Sequence, residues 1–303
     1  MFTFSIFTPT YNRKHTLHRA YNTLCNQTYK DFEWIIIDDG SIDGTQDLVS
    51  LWIKENKFKI SYYYQTNQGK HIAYNHYSKY ANGKYFISID SDDAAKDNWL
   101  ERNLFHLNQL EIEGKNNFWG IYCLAEDQNG NLIGNKFKKD ILDGNWVEIM
   151  LDNMQGDKGY SIKMDVFKEF PFPEDVKNVY LPESYFFHAM SSKYNVRCVN
   201  ERLIVPWVDE REDHLSNELL KRRNLKGLSY GCLGFLKYSM RYFFKFPKEY
   251  IIKSIYYVNI SFLIKKKFTS QIKEIESFWG IVLWFFSIPA GYILSVFKQK
   301  KYD

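Results

Sequence analysis

The chain has 303 residues, 45% hydrophobic and 25% charged, which excludes a disordered segment and allows one large domain or about two ordinary ones. The net charge of +4 hides a split: residues 221–303 hold 16 Lys and Arg against 4 acids, a net of +12, and residues 1–220 hold 24 against 32, a net of −8. An acidic globular part is therefore followed by a basic, aromatic tail suited to an anionic surface, membrane or nucleic acid. Cys25, Cys123, Cys198 and Cys232 lie far apart, which argues against a zinc site or a disulfide framework and fits a reducing compartment. No basic-then-apolar leader stands before the first strand.

Phe2–Thr8 reads as a strand broken by Pro9-Thr10-Tyr11-Asn12, and Arg13–Asn26 carries Leu17, Ala20, Tyr21 and Leu24 at helical spacing. Phe32–Ile37 is a second strand, ending in Asp38-Asp39-Gly40-Ser41. A helix from Asp43-Gly44-Thr45 to about Glu55 turns Leu48, Leu51 and Trp52 inward. Ile60–Gln65 is a third strand, and Asn67-Gln68-Gly69-Lys70 opens a helix to about Tyr80. Asn82-Gly83 turns into a fourth strand. Four alternations of strand and helix call for a mostly parallel sheet with helices on both faces.

The fourth strand, from Tyr85, breaks into Asp90-Ser91-Asp92-Asp93. Carboxylates at the carboxyl end of a parallel strand sit where open α/β sheets bind ligands. Hard oxygen donors of this kind suit Mg²⁺ or Mn²⁺ bridging a diphosphate. The loops Thr8–Asn12, Asp38–Ser41 and Asp90–Asp93 should converge on one rim, and two of them are acidic. Such a rim needs a cation, or donors such as a uracil N–H and ribose hydroxyls. No Gly-x-Gly-x-x-Gly follows the first strand and no P-loop occurs, so a metal is the natural way to hold a diphosphate here.

Ser5–Arg13, Asp38–Thr45, Asn67-Gln68-Gly69, Ala73-Tyr74-Asn75, Ala81-Asn82-Gly83 and Asp90–Asp93 together resemble the successive signatures of family 2 glycosyltransferases with the GT-A fold, over roughly residues 3–100. The resemblance implies an α/β, Rossmann-like GT-A domain with a mixed, mostly parallel sheet and flanking helices. It implies that Thr8, Tyr11 and Asp39 hold the uracil and ribose of a UDP-sugar, with Arg13, Gly69, Lys70, Asp90 and Ser91 completing the donor site. Asp92 would be the metal ligand of an Asp-x-Asp pair, with Mn²⁺ or Mg²⁺ as cofactor.

Asn98–Glu113 reads as a helix, and Phe118–Ala125 and Asn131–Phe137 as two strands around a Gln128-Asn129-Gly130 turn. The short strand Tyr160–Lys163 and the helix Asp165–Phe170 follow. Pro182-Glu183-Ser184 opens a helix to about Tyr194, and Val196–Val205 is a strand. By resemblance this helix carries the catalytic base, and Glu183 matches that position, with Asp157 as the rival. His188 reads as packing. The polar loop Asp209–Glu212 could close over the donor, with His214 adding a metal or phosphate contact, or be a solvated loop.

In the tail, Lys237, Arg241, Lys245, Lys248 and Lys253 are interleaved with aromatic and aliphatic residues, and Lys265-Lys266-Lys267 follows. Ser277–Phe297 carries no charge and is long enough to cross a bilayer, which favours membrane over nucleic acid. Pro289-Ala290-Gly291 should break it, and Lys flanks both ends, which favours an in-plane or re-entrant pair of helices over one crossing. Packing of these aromatics on the protein, or self-association through them, stays open.

The reading is a catalytic domain over 1–215, with a donor half at 1–100 and an acceptor half at 101–215, and a helical membrane-associated tail over 216–303. The resemblance implies an inverting, metal-dependent transferase working at the cytoplasmic face of the membrane. It would move a sugar from a nucleotide-sugar to a hydroxyl of a cell-surface glycan or lipid-linked acceptor. The alternative is a catalytically inactive nucleotide-sugar-binding membrane protein. A nucleotidyltransferase would carry a glycine-rich, basic loop where Thr8-Pro9-Thr10 stands.

Overall fold

The computed structural model of the chain describes residues 1–152, 154–207 and 222–302, with side chains as far as residue 297. In chain order the first elements are β1 (Phe2–Thr10), α1 (His18–Asn26), β2 (Phe32–Asp38), α2 (Thr45–Glu55), β3 (Lys59–Tyr64), α3 (Lys70–Ser78) and β4 (Gly83–Ser88). There follow β5 (Ala94–Ala95), α4 (Trp99–Ile112), β6 (Phe118–Ala125), β7 (Ile141–Gly144), α5 (Trp146–Leu151), β8 (Lys158–Lys163) and α6 (Met164–Glu169). The remainder is α7 (Ser184–Ser191), β9 (Asn195–Val205), α8 (Leu225–Tyr238), α9 (Pro247–Leu263), α10 (Phe268–Ile275) and α11 (Phe278–Tyr302). Two compact units result: Met1–Asn145, Asn153–Phe172 and Tyr194–Glu210 form one, and Trp146–Asp152, Pro173–Lys193 and Arg211–Asp303 the other.

The first unit is a mixed α/β layer structure around a sheet of order β3-β2-β1-β4-β8-β6-β9-β5, with β7 beside β9. β3, β2, β1 and β4 are mutually parallel. β8 joins β4 and β6 antiparallel, and β6 pairs β9 in parallel through shifts of register. All seven residues of β2 are buried, as expected of a parallel strand covered on both faces. Alternation of side chains divides the core. Phe4, Ile6, Trp34, Ile36 and Ile87 face Leu17 just before α1, Leu24 of α1, Trp52 of α2 and Leu107 of α4. Phe7 and Phe86 point the other way and meet Tyr74 of α3 (4.6 Å from Phe7) and Phe167 of α6 (4.1 Å from Phe86). Full burial of each such side chain contributes about 1.5–3 kcal/mol.

Several elements depart from expectation. The first helix begins at His18 rather than Arg13, because Asn12 adopts a left-handed backbone (φ 52°) and the chain turns before it coils. On α2, Val49 rather than Leu51 points inward, and Leu51 is exposed. Asn131–Phe137 forms no strand: Glu126 and Leu132 make a single bridge, and the Asp127 carboxylate accepts from the amides of Asn129 and Asn131, tying off a local turn. The next strand in sequence is β7, on the far side of β9.

The second unit is helical. His188 of α7 packs between Trp146 of α5 and Phe235 of α8, with Gly234 making room beside it. Burial pushes its imidazole down to about 3, so it is a neutral packing residue. α9 packs on α8, and α11 lies against α9 and α8. The break expected at Pro289 does not occur: α11 runs continuously through it. A proline lacks one N–H but holds a helix-compatible φ, so a helix held by packing along its length tolerates it.

Candidate active site

The carboxyl ends of β1, β2 and β4 meet on one rim of the first unit. Loops one and two are zipped together: Asp39 N donates to Thr10 O (2.8 Å), Asn12 N to Ser41 Oγ (2.8 Å) and Ile42 N to Asn12 Oδ1 (2.9 Å). Tyr11 is left half exposed on that rim. Asp38 is an internal brace, accepting from Ser41 N and from the Tyr62 hydroxyl.

Asp39 is buried and accepts from Gln65 Nε2 (2.7 Å), Gln68 N (2.8 Å) and Gly69 N (2.8 Å). Burial raises its carboxyl above the usual range, against the pull of these hydrogen bonds. Gly69 has φ 99°, a conformation that L side chains rarely adopt, which fixes glycine at the mouth of α3. The first residue of α3, Lys70, then places Nζ 2.9 Å from both oxygens of Asp90.

The third loop hangs from β1 and β2. Ile89 N donates to Phe7 O, Thr8 Oγ1 donates to Ile89 O (2.8 Å), and Trp34 Nε1 donates to Thr8 Oγ1 (2.9 Å). Thr8 is fully buried, and its hydroxyl is engaged within the frame of the site. Ser91 is also buried. Asp92 keeps a quarter of its side chain exposed, with Arg13 Nε 4.0 Å from its carboxylate. Asp93 accepts from Trp207 N (3.1 Å), and burial, then the charges of Asp90 and Asp92, push its carboxyl well above the usual range.

Two supports were not visible in the sequence. Arg19 Nη1 donates to the Asp92 carbonyl (2.9 Å), and its guanidinium stacks on the Trp207 ring at 4.4 Å. Only a fold brings α1, the third loop and the exit of β9 together.

Does this rim suit a divalent cation? Among the described residues no group of three or more His, Cys, Asp or Glu could hold a metal by itself. Yet these crowded carboxylates, Asp90 and Asp92 partly exposed, offer hard oxygens to an ion whose remaining ligands come from phosphate and water. The residues fit that substrate-bridged mode, Asp90 being paired with Lys70 and Asp92 lying 4.0 Å from Arg13. His214 lies outside the described residues. Glu183 belongs to the second unit, partly buried at the N-cap of α7, where its carbonyl accepts from Phe187 N. Asp157 is exposed in the loop before β8.

A parallel half-sheet with an acidic rim at its carboxyl ends, continued by a mixed half, is the GT-A architecture of glycosyltransferases. Solved structures share it. Staphylococcus aureus TarS 1–349 in complex with UDP-GlcNAc matches with a TM-score of 0.61 at 16% identity, over 94% of this chain and 79% of that one. The mannosyltransferase PcManGT from Pyrobaculum calidifontis, in complex with GDP-Man and Mn²⁺, matches with a TM-score of 0.57 at 11% identity, over 97% and 87%. Residues 5–114 match the model of glycosyl transferase family 2.

Curated relatives are similar over part of the chain. The putative teichuronic acid biosynthesis glycosyltransferase TuaG of Bacillus subtilis is 31% identical over 41% of this chain and 48% of its own length. The Escherichia coli UDP-Glc:alpha-D-GlcNAc-diphosphoundecaprenol beta-1,3-glucosyltransferase WfgD is 34% identical over 44% and 49%. An uncharacterized glycosyltransferase of Rickettsia bellii is 30% identical over 57% and 24%. The chain thus spans about a quarter to half the length of these relatives.

Proposed function

We propose that the chain transfers a sugar from a nucleotide-sugar, a UDP-sugar in the first place, to a hydroxyl of a cell-envelope glycan or lipid-linked acceptor. The observation that carries the reading is the rim itself: three converging loops, a cluster of carboxylates, and Lys70 and Arg13 set among them. In this reading Tyr11 and the Asp39 frame receive the nucleoside, with Gly69 and Ser91 shaping the floor. Lys70 and Arg13 balance the charge of the departing diphosphate. Asp92, with Asp90 beside it, holds Mn²⁺ or Mg²⁺, which when bound neutralises diphosphate charge as a Lewis acid. Glu183 takes the proton of the acceptor hydroxyl as its oxygen attacks the anomeric carbon and the bond to the diphosphate breaks, with inversion. Residues 1–100 serve the donor, 101–215 the acceptor, and 216–303 hold the enzyme at the cytoplasmic face of the membrane. The names of WfgD and TuaG, one acting on a diphosphoundecaprenol-linked sugar and the other in teichuronic acid synthesis, support the acceptor class.

The test is thermal unfolding with a panel of nucleotide-sugars, with and without Mn²⁺, since a ligand that binds only the folded state raises the midpoint. The wild type and Glu183→Gln should be stabilised by one donor with Mn²⁺, and Asp92→Asn should not. Glu183→Gln should lose transfer by ~10²-fold or more. No stabilisation by any donor refutes the reading, and near-native transfer by Glu183→Gln moves the base to Asp157 or elsewhere.

A further inference from the structure

α11 is built inside out for water. Its buried positions are Gly280, Trp284, Ser287, Gly291 and Ser295, four of them small. Its exposed positions include Phe278, Trp279, Phe285, Phe286, Ile293 and Phe297, each more than half exposed. With about 100° between successive residues, the exposed set falls within roughly a 160° arc, and the buried set is centred opposite to it. The small residues let backbones approach. A Cβ on Gly291 would lie 2.5 Å from Val258 Cγ1, and one on Gly280 would lie 2.2 Å from Leu236 O. Small residues towards the neighbouring helix and large apolar ones outward is the arrangement of a helix in contact with lipid. Of the apolar segment Phe278–Phe297 only 28% is buried, so it is not the core helix of a water-soluble bundle.

Two observations say what covers this face. First, its borders are basic. Tyr292 lies beside Phe262 at the end of α9 and Trp284 beside Phe268 at the start of α10, so Lys265-Lys266-Lys267, between them in sequence, flanks the middle of α11. Past its apolar stretch α11 carries Lys298, Lys300 and Lys301, and no acid occurs between Glu276 and Asp303. A second copy would set like charges against like, whereas an anionic surface complements them. Second, the inner side of α11 is packed on helices that carry charge. The Lys237–Glu276 and Lys266–Glu274 pairs, each 2.7 Å, would enter hydrocarbon if α11 crossed a bilayer with its neighbours.

We propose that α11 lies in the plane of an anionic lipid bilayer, its outward aromatic face sunk below the headgroups and its inner face packed on α8 and α9. This deepens the membrane side of the reading above and stands on residues separate from the donor site.

The experiment is co-sedimentation of the full-length protein with phosphatidylcholine vesicles, with and without phosphatidylglycerol, at low and high salt. The wild type should bind the anionic vesicles and stay partly bound at high salt, because apolar burial is not screened. Phe285→Glu with Phe286→Glu should weaken partitioning by about tenfold or more, while Phe285→Leu with Phe286→Leu retains it. In detergent all three proteins should show the same donor-induced stabilisation, so a failure of the donor reading and a failure of this one are distinguishable. A wild type that stays in the supernatant overturns the proposal. So does a detergent-free dimer that ignores vesicles and is split by the Glu pair, which would assign the face to a second copy.

Discussion

Lys70 is the cation that the fold places on Asp90, and replacing it should change the two ligands of the rim in opposite directions. Lys70→Met keeps an unbranched stem and removes the ammonium. Nζ lies 2.9 Å from both Asp90 oxygens, and the two side chains are 29% and 41% exposed, so the high-dielectric limit applies. Two unit charges at that distance interact by about 1.4 kcal/mol in a water-like medium, which is about tenfold in an equilibrium constant. A divalent ion that shares the Asp90–Asp92 rim must compete with that ammonium. Lys70→Met should therefore bind Mn²⁺ about tenfold more tightly without nucleotide, measured from the free-ion paramagnetic resonance signal at fixed ionic strength. It should bind UDP more weakly, since the ammonium no longer meets the diphosphate. Fold stability should fall by no more than about 1 kcal/mol, as for other solvent-screened pairs. Unchanged or weaker Mn²⁺ binding would refute the reasoning, and a parallel loss of both ligands would make Lys70 a brace of the loop.

Gly83→Ala tests the sheet below the site: the new Cβ would lie 2.3 Å from Ser5 N and 2.6 Å from the Phe4 carbonyl carbon, so urea unfolding should show a loss of about 1–3 kcal/mol. Glu201 tests acid stability. Burial alone would raise its carboxyl, but hydrogen bonds from Arg102 (2.8 and 2.7 Å) and His106 (2.7 Å) override burial and hold it at about 2. A carboxyl depressed on folding stabilises above its unfolded value of ~4.3 and loses that contribution as pH falls towards 2. Glu201→Gln should thus be less stable at pH 6 and show a flatter decline in urea midpoint between pH 5 and 2. A decline as steep as that of the wild type would place the acid sensitivity elsewhere.

The parallel half-sheet was legible because its signals are local: apolar runs of strand length, turn residues after each, and helical spacing between. Convergence of Thr10, Asp39 and Asp90 on one rim followed from parallel topology alone. What escaped depended on distant partners. Asn131–Phe137 makes a single bridge and is held by a local turn rather than a ladder, and β7 is too short to announce itself. The hydrogen bonds of the Thr8 hydroxyl to Trp34 of β2 and to Ile89 just past β4 join residues far apart in sequence. Arg19 and Trp207 are separated by most of the first unit and meet only once it is folded. Pro289 is a breaker by its own chemistry, overridden by packing along α11.

The three hydrogen bonds that end on Asp39 have a consequence for what the rim refuses. Helix N-termini are ready receptors for free anions, and the mouth of α3 opens beside the rim. Asp39 already occupies the amides of Gln68 and Gly69 there, a resident counter-ion that cannot diffuse away. Sulfate or inorganic phosphate arriving alone meets a carboxylate where other folds present bare N–H groups. On the proposed reading, a diphosphate would gain its foothold on this rim by bringing its own nucleoside and cation, and a simple anion, which brings neither, should bind there more weakly.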